Sequence, residues 1–118
     1  MADSTQHDPE RRRYPRIRAK VPVELLCSAM PPMRTETDEI SLCGCYIKTM
    51  FTMDVGTKLV LVFSVKHNKI GANGIVVTKY PHVGNGSDFV DIATQDRLKL
   101  SEFISESERD AVEGNAGT

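Results

Sequence analysis

Between residues 21 and 93 apolar side chains recur mostly at every second position, and this alternation constrains the fold more than any other feature of the chain. In "AKVPVELLCSA", Val21, Val23 and Leu25 fall on one side of an extended backbone. A period of two belongs to a strand with one face buried and the other solvated, whereas an amphipathic helix needs a period of 3.6. The same reading applies to "RTETDEIS", "GCYIKTM", "GTKLVLVFSV", "NKIGANGIVVTKY" and "SDFVDIA", which makes six strands. The prolines of "MPPM" predict a break after the first strand, because proline donates no hydrogen bond to a central ladder. In "PHVGNGS", Gly84, Asn85 and Gly86 are able to take positive φ and predict a turn. Glycines within "NKIGANGIVV" permit a bulge or a close approach of backbones.

The period changes in "TQDRLKLSEFISESERDA", where Leu98 or Leu100, Phe103 and Ile104 take helical spacing and Thr94 is a candidate N-cap. Short strands at close intervals followed by one helix predict an all-β fold, a six-stranded antiparallel β-barrel with a C-terminal α-helix. The expected organisation is a flexible N-terminus over residues 1–9, an arginine loop over 10–20, the barrel over 21–93, the helix over 94–108 and a flexible tail over 109–118.

A length of 118 residues with 40% hydrophobic content suits one domain with a modest core. The formal net charge of −1 gives no sign of general affinity for nucleic acid or membranes. No apolar run approaches the roughly 20 residues needed to span a bilayer, and "MADSTQHDPE" lacks the basic and apolar parts of a signal peptide, so the expected location is the cytoplasm with no membrane insertion. Cys27, Cys43 and Cys45 form no even framework, and His7, His67 and His82 are scattered, so neither a disulfide scaffold nor a metal site is expected. The sequence contains no G-x-S-x-G elbow, H-E-x-x-H or P-loop. A binding module is expected rather than an enzyme, with no catalytic residues and no cofactor.

One stretch stands out against this balanced composition. "ERRRYPRIRAK" holds five arginines and one lysine around Pro15. Proline blocks helix continuation and restricts Tyr14 to extended conformations, so these arginines belong to a loop leading into the first strand. Guanidinium groups offer planar donors to phosphate oxygens and to the guanine O6 and N7 edge, and their faces stack on bases. A solvated basic leader is the alternative reading of this stretch by itself.

Further along, "DEISLCGCYIKT" carries Glu39-x-Ser41-x-x-Gly44. Together with the upstream Arg11-Arg12-x-x-x-Arg16, it resembles the two-part signature of the PilZ domain family, bacterial receptors for the second messenger cyclic di-GMP built on a six-stranded barrel. The resemblance covers roughly residues 10 to 105. It implies that Arg12 and Arg16 are the main ligand-binding arginines, with Arg11 a third. Glu39 stands where the family has Asp or Asn, and it is expected to accept from the guanine N1 and N2 donors. On a strand Asp38 points to the opposite face, so Glu39 shares a side with Ser41 and is the candidate. Ser41 is expected to give a hydroxyl to phosphate or base, unless that hydroxyl serves the turn itself. Gly44 is expected to take positive φ and let the ligand approach the backbone. The resemblance further implies a conformational change that signals to an unidentified protein partner. Two other readings remain at this point: a PilZ adaptor that has lost the nucleotide, and a small nucleic-acid-binding barrel. The latter would need a basic groove with aromatic platforms, and this chain has no Trp, four Phe and three Tyr.

Overall fold

A computed structural model describes residues 15–28 and 30–117, with side chains described as far as Asp110. The expected N-terminus, together with Arg11, Arg12, Arg13 and Tyr14, therefore lies outside the described residues. The elements are β1 (Ile17–Arg18), β2 (Pro22–Cys27), β3 (Met30–Ile40), β4 (Gly44–Lys48), β5 (Lys58–Val65), β6 (Asn68–Tyr80), β7 (Gly84–Ile92) and α1 (Thr94–Gly117). The strands run in the order β3-β2-β5-β6-β7-β4, all antiparallel, and pairing of β4 back onto β3 closes a six-stranded barrel. Closure through residues 37–40 of β3 covers the edge there, and residues 30–36 of the same strand keep one side unpaired.

The period-two residues point inward as their spacing dictates. Val23, Leu25, Ile40, Ile47, Leu59, Leu61, Phe63, Ile70 and Val76 form the buried interior. Phe63 meets Phe89 edge to face at 5.7 Å, an arrangement that the ring quadrupoles favour. Helix α1 begins at Thr94 and packs on β6 and β1, adding the buried Leu100 and Ile104 to the same core. It runs to Gly117, beyond residue 108 where the sequence places its end. The run "SERDAVE" consists mostly of adequate helix formers, and no strong breaker occurs before Gly114.

The short strand β1 belongs to the arginine loop. Ile17 and Arg18 pair with Ile40 and Glu39 on the edge of β3 that β2 occupies further along. Between β1 and β2 the ladder is interrupted, and the buried Thr37 fills the interruption with its side chain. Its Oγ1 accepts from the Val21 amide at 3.0 Å and donates to the Ala19 carbonyl at 2.6 Å. Backbone bonds from Ala19 N to Asp38 O and from Thr37 N to Val21 O complete the join. The loop is thereby fastened to the barrel just behind Arg16.

Two turn assignments change. Pro31 and Pro32 lie inside β3 instead of breaking the chain before it. Residues 30–36 of that strand pair with β2 alone, and both prolines are exposed and fall outside the register of that ladder, between Met30 and Met33. The register shift between Leu25 and Cys27 accommodates the pair as a bulge. Gly84, Asn85 and Gly86, in turn, are buried members of β7, and the turn is made one step earlier, with His82 at φ 62°. Asn85 is held there by its amide. Oδ1 accepts from Met53 N at 2.7 Å, and Nδ2 donates to Met53 O at 2.8 Å and to Thr78 O at 3.2 Å, clamping the β4–β5 loop to the barrel wall.

Replacing Thr37 by Val should leave the Val21 amide and the Ala19 carbonyl short of partners and cost about 1–3 kcal/mol. Urea unfolding of Thr37→Val beside Thr37→Ser, which keeps the hydroxyl, measures this. Equal stability of the two variants would contradict it.

Candidate functional site

Strand pairing assembles one outward-facing surface from β1, β3, β4, β7 and β6. Residues paired across a ladder share a face, so the register places Arg18, Glu39, Tyr46, Gly86 and Thr78 in one row and Gly44 with Asp88 in the next. The row between them, Ile40, Cys45, Ser87 and Val76, turns inward and is buried. Arg16 enters this surface immediately before β1.

The guanidinium of Arg16 stands 3.7 Å from the Glu39 carboxylate, and the Arg16 side chain is more than half exposed. At that separation and exposure the pair contributes little to stability, which leaves the guanidinium free in energetic terms to exchange partners. Beside it lies a cleft of about 240 Å³. Arg16, Ser41 and Gly44 line it, together with Tyr46, Thr78, Tyr80, Gly86 and Asp88. Glu39 sits next to this cleft, turned toward Arg16. Of the six residues expected to bind ligand, Arg16, Glu39, Ser41 and Gly44 thus converge in space, while Arg11 and Arg12 lie outside the described residues.

Ser41 and Gly44 build the turn itself. The Ser41 amide donates to the Gly44 carbonyl at 2.8 Å, and the buried Ser41 Oγ accepts from Cys43 N at 3.1 Å while lying 3.3 Å from the Gly44 carbonyl. The hydroxyl is engaged in shaping the loop that faces the cleft. Gly44 does not take the expected positive φ. It opens β4, and a Cβ built there would lie 2.4 Å from the Ser87 carbonyl oxygen, a backbone atom that cannot move aside. Glycine is needed at this position for the close approach of β4 to β7.

Several residues of the cleft escape sequence reading. Tyr46 leans along the neighbouring glycines, its hydroxyl 2.5 Å from where a Cβ of Gly84 would stand, and it meets Tyr80 edge to face at 6.2 Å and 61°. Desolvation, then the nearby Tyr80, Asp38 and Glu39, push the Tyr46 phenol above its ordinary value, so it stays neutral at physiological pH. Thr78 Oγ1 accepts from the Gly86 amide at 3.1 Å and fixes the floor. The Ser87 hydroxyl is buried and finds no hydrogen-bond partner among the described residues. Burial, with Asp88 adding its negative charge, raises the Cys45 thiol to about 12, which leaves it protonated and unreactive. Among the described residues no group of three or more Cys, His, Asp or Glu side chains could hold a metal ion, and no helix is long and apolar enough to cross a membrane.

The PilZ domain family model matches residues 10–106. The chain belongs to the PilZ family. The barrel resembles that of Escherichia coli YcgR in complex with c-di-GMP, with a TM-score of 0.75 and 17% identity over 91% of this chain and 50% of YcgR. The PilZ domain of the same protein with c-di-GMP aligns at a TM-score of 0.72 and 15% identity, covering 92% of this chain and 99% of that domain. The Bacillus subtilis inhibitor of motility MotI/DgrA aligns at a TM-score of 0.72 and 18% identity, over 82% of this chain and 51% of MotI. The chain spans about half the length of YcgR and MotI and nearly all of the isolated PilZ domain. Among curated proteins no relative matches by sequence.

Gly44→Ala should destabilise the PilZ barrel or separate β4 from β7, because the clash falls on backbone. Thermal unfolding checks this, and a midpoint equal to that of the parent protein would contradict the close approach.

Proposed function

We propose that this protein is a bacterial cyclic di-GMP effector whose ligand lies against the cleft beside Arg16. The observation that carries this reading is the convergence of Arg16, Glu39 and the 41–44 turn on one face of a PilZ barrel, with the two motifs brought together by pairing of β1 with β3 and β3 with β4. Cyclic di-GMP carries two phosphate charges and two guanines. A guanidinium that is exposed and only loosely paired is suited to take a phosphate oxygen and to stack on a base.

Arg12 and Arg11, from the same loop, complete the phosphate contacts in this proposal. Glu39, beside Arg16, accepts from the guanine N1 and N2 donors in this reading, and Ser41 with Gly44 shapes the loop over which the ligand lies. The output follows from linkage. A ligand that grips the arginine loop and the barrel wall together favours the arrangement in which both are in contact, and it shifts the population by its differential affinity for that arrangement. A protein partner that reads this arrangement relays the signal, and the protein acts by binding rather than by catalysis.

Calorimetric titration with cyclic di-GMP, with GTP as control, tests the reading. Saturable binding selective for the dinucleotide is expected. Arg12→Ala and Arg16→Ala should each weaken it about ten- to hundredfold, since each removes charge-assisted hydrogen bonds of about 1.5–3 kcal/mol. Undiminished affinity in both variants would sink the assignment, and absence of binding to the folded protein would favour the ligand-free adaptor.

A further inference from the structure

The two ends of the barrel are finished differently. The β2–β3 connection, the β4–β5 loop over residues 49–57 and the β6–β7 turn over 81–83 gather at one end. Leu26 pairs with Val60 near the start of β5, and Lys48 and Tyr80 both pair with Gly84 at the start of β7. The Thr49 amide donates to the Val83 carbonyl at 2.9 Å and ties two of these segments together. Toward the other end lies helix α1, with Leu100 and Ile104 buried and Glu106 bonded to Lys66 of the β5–β6 turn. The loop end is left apolar instead. Met50 (70% exposed), Phe51 (75%), Val55 and Val83 project into solvent there, and Pro31 and Pro32 are exposed at the same end.

These side chains are held outward by an anchored loop. Met53 is buried, and the Asn85 amide clamps its backbone at both N and O. The Phe51 amide donates to Thr49 Oγ1 at 3.0 Å, and the Gly56 amide to the Val76 carbonyl at 2.8 Å. Apolar surface concentrated in this way marks an interaction site, whereas singly scattered residues would not. The surrounding charges select the occupant. Within residues 48–58 and 79–83, Lys48, Lys58 and Lys79 stand against a single carboxylate, Asp54, which Lys79 holds at 2.7 Å. Lys58 is exposed, and Lys48 stays 69% exposed beside Asp38. Residues 94–110 of α1, by contrast, hold five carboxylates and three cations. A second copy docked end to end would bring the lysines together, while an anionic layer complements them.

We propose that this end of the barrel rests on an anionic phospholipid surface. Met50 and Phe51 enter the boundary between headgroups and acyl chains, and the lysines keep their ammonium groups at the level of the phosphates. The contact is peripheral, made by loop tips that do not cross the bilayer, and it is independent of the cyclic di-GMP reading.

The full chain contains no Trp, so Phe51→Trp and Leu98→Trp each supply one emission reporter, the second at an exposed position of α1. With vesicles of phosphatidylcholine and phosphatidylglycerol, the emission of Phe51→Trp should move to the blue and that of Leu98→Trp should not. Cosedimentation of the parent protein should be about tenfold stronger with these vesicles than with phosphatidylcholine alone, and added salt should weaken it. Met50→Ser combined with Phe51→Ser should reduce it about tenfold or more, because two apolar side chains no longer leave water, with the unfolding midpoint unchanged. Lys58→Gln should reduce it about fivefold. Equal cosedimentation with neutral vesicles, a blue shift at residue 98 alone, or undiminished binding by the double variant overturns the assignment. Absence of binding to anionic vesicles overturns it too, and a dimer that the double variant dissolves would then assign the patch to a second copy.

Discussion

Pairing of β3 with both of its flanks is the constraint on which this structure depends. Along one edge, β3 takes β2 and then β1; along the other, its last residues take β4 and close the barrel. Residues 39 and 40 are the point where both edges are occupied at once. That double pairing sets the Arg16 segment on one side of Glu39 and the 41–44 turn on the other, so two motifs about 25 residues apart in sequence meet on one face. Thr37 makes the arrangement durable. Its hydroxyl bridges the break between β1 and β2, fixing where the arginine loop leaves the wall.

The second requirement is backbone proximity. β4 and β7 approach so closely at Gly44 that the Ser87 carbonyl occupies the space of a side chain. Gly84 and Gly86 leave comparable room for Tyr46 and Thr78 on the outer face. These glycines turn part of a barrel wall into a shallow cleft, and the wall around them stays rigid through the Asn85 clamp on Met53. Electrostatics is equally local. A chain with a net charge of −1 presents a guanidinium, a paired glutamate and an aspartate around one small hollow, so recognition here rests on placement rather than on overall charge.

Much of the barrel was legible in the period-two pattern, because inward positions such as Val23, Leu61 and Phe63 repeat with the pleat whatever the topology. Pro31 and Pro32 misled because their tolerance depends on whether the strand has a neighbour on both sides, which only topology decides. Gly84 to Gly86 misled for a related reason. Their composition suits a turn, but close packing against Tyr46 and Thr78 and the buried amide of Asn85 place them in a strand. Arg16, Glu39, Ser41 and Gly44 could be named from their motifs because local spacing carries them. Asp88, Tyr46 and Tyr80 could not. They join the cleft through cross-strand register, a relation between distant segments that a single sequence does not express.

The central claim is that one face of the barrel, and no other, receives the ligand. Backbone amide NMR of the protein titrated with cyclic di-GMP tests it most directly. The account predicts shifts concentrated at residues 16–18, 39–46, 78–80 and 84–88, with the wall around Leu26, Val60 and Asn73 unaffected. Shifts centred on that wall, or an unchanged spectrum at saturating ligand, would contradict it.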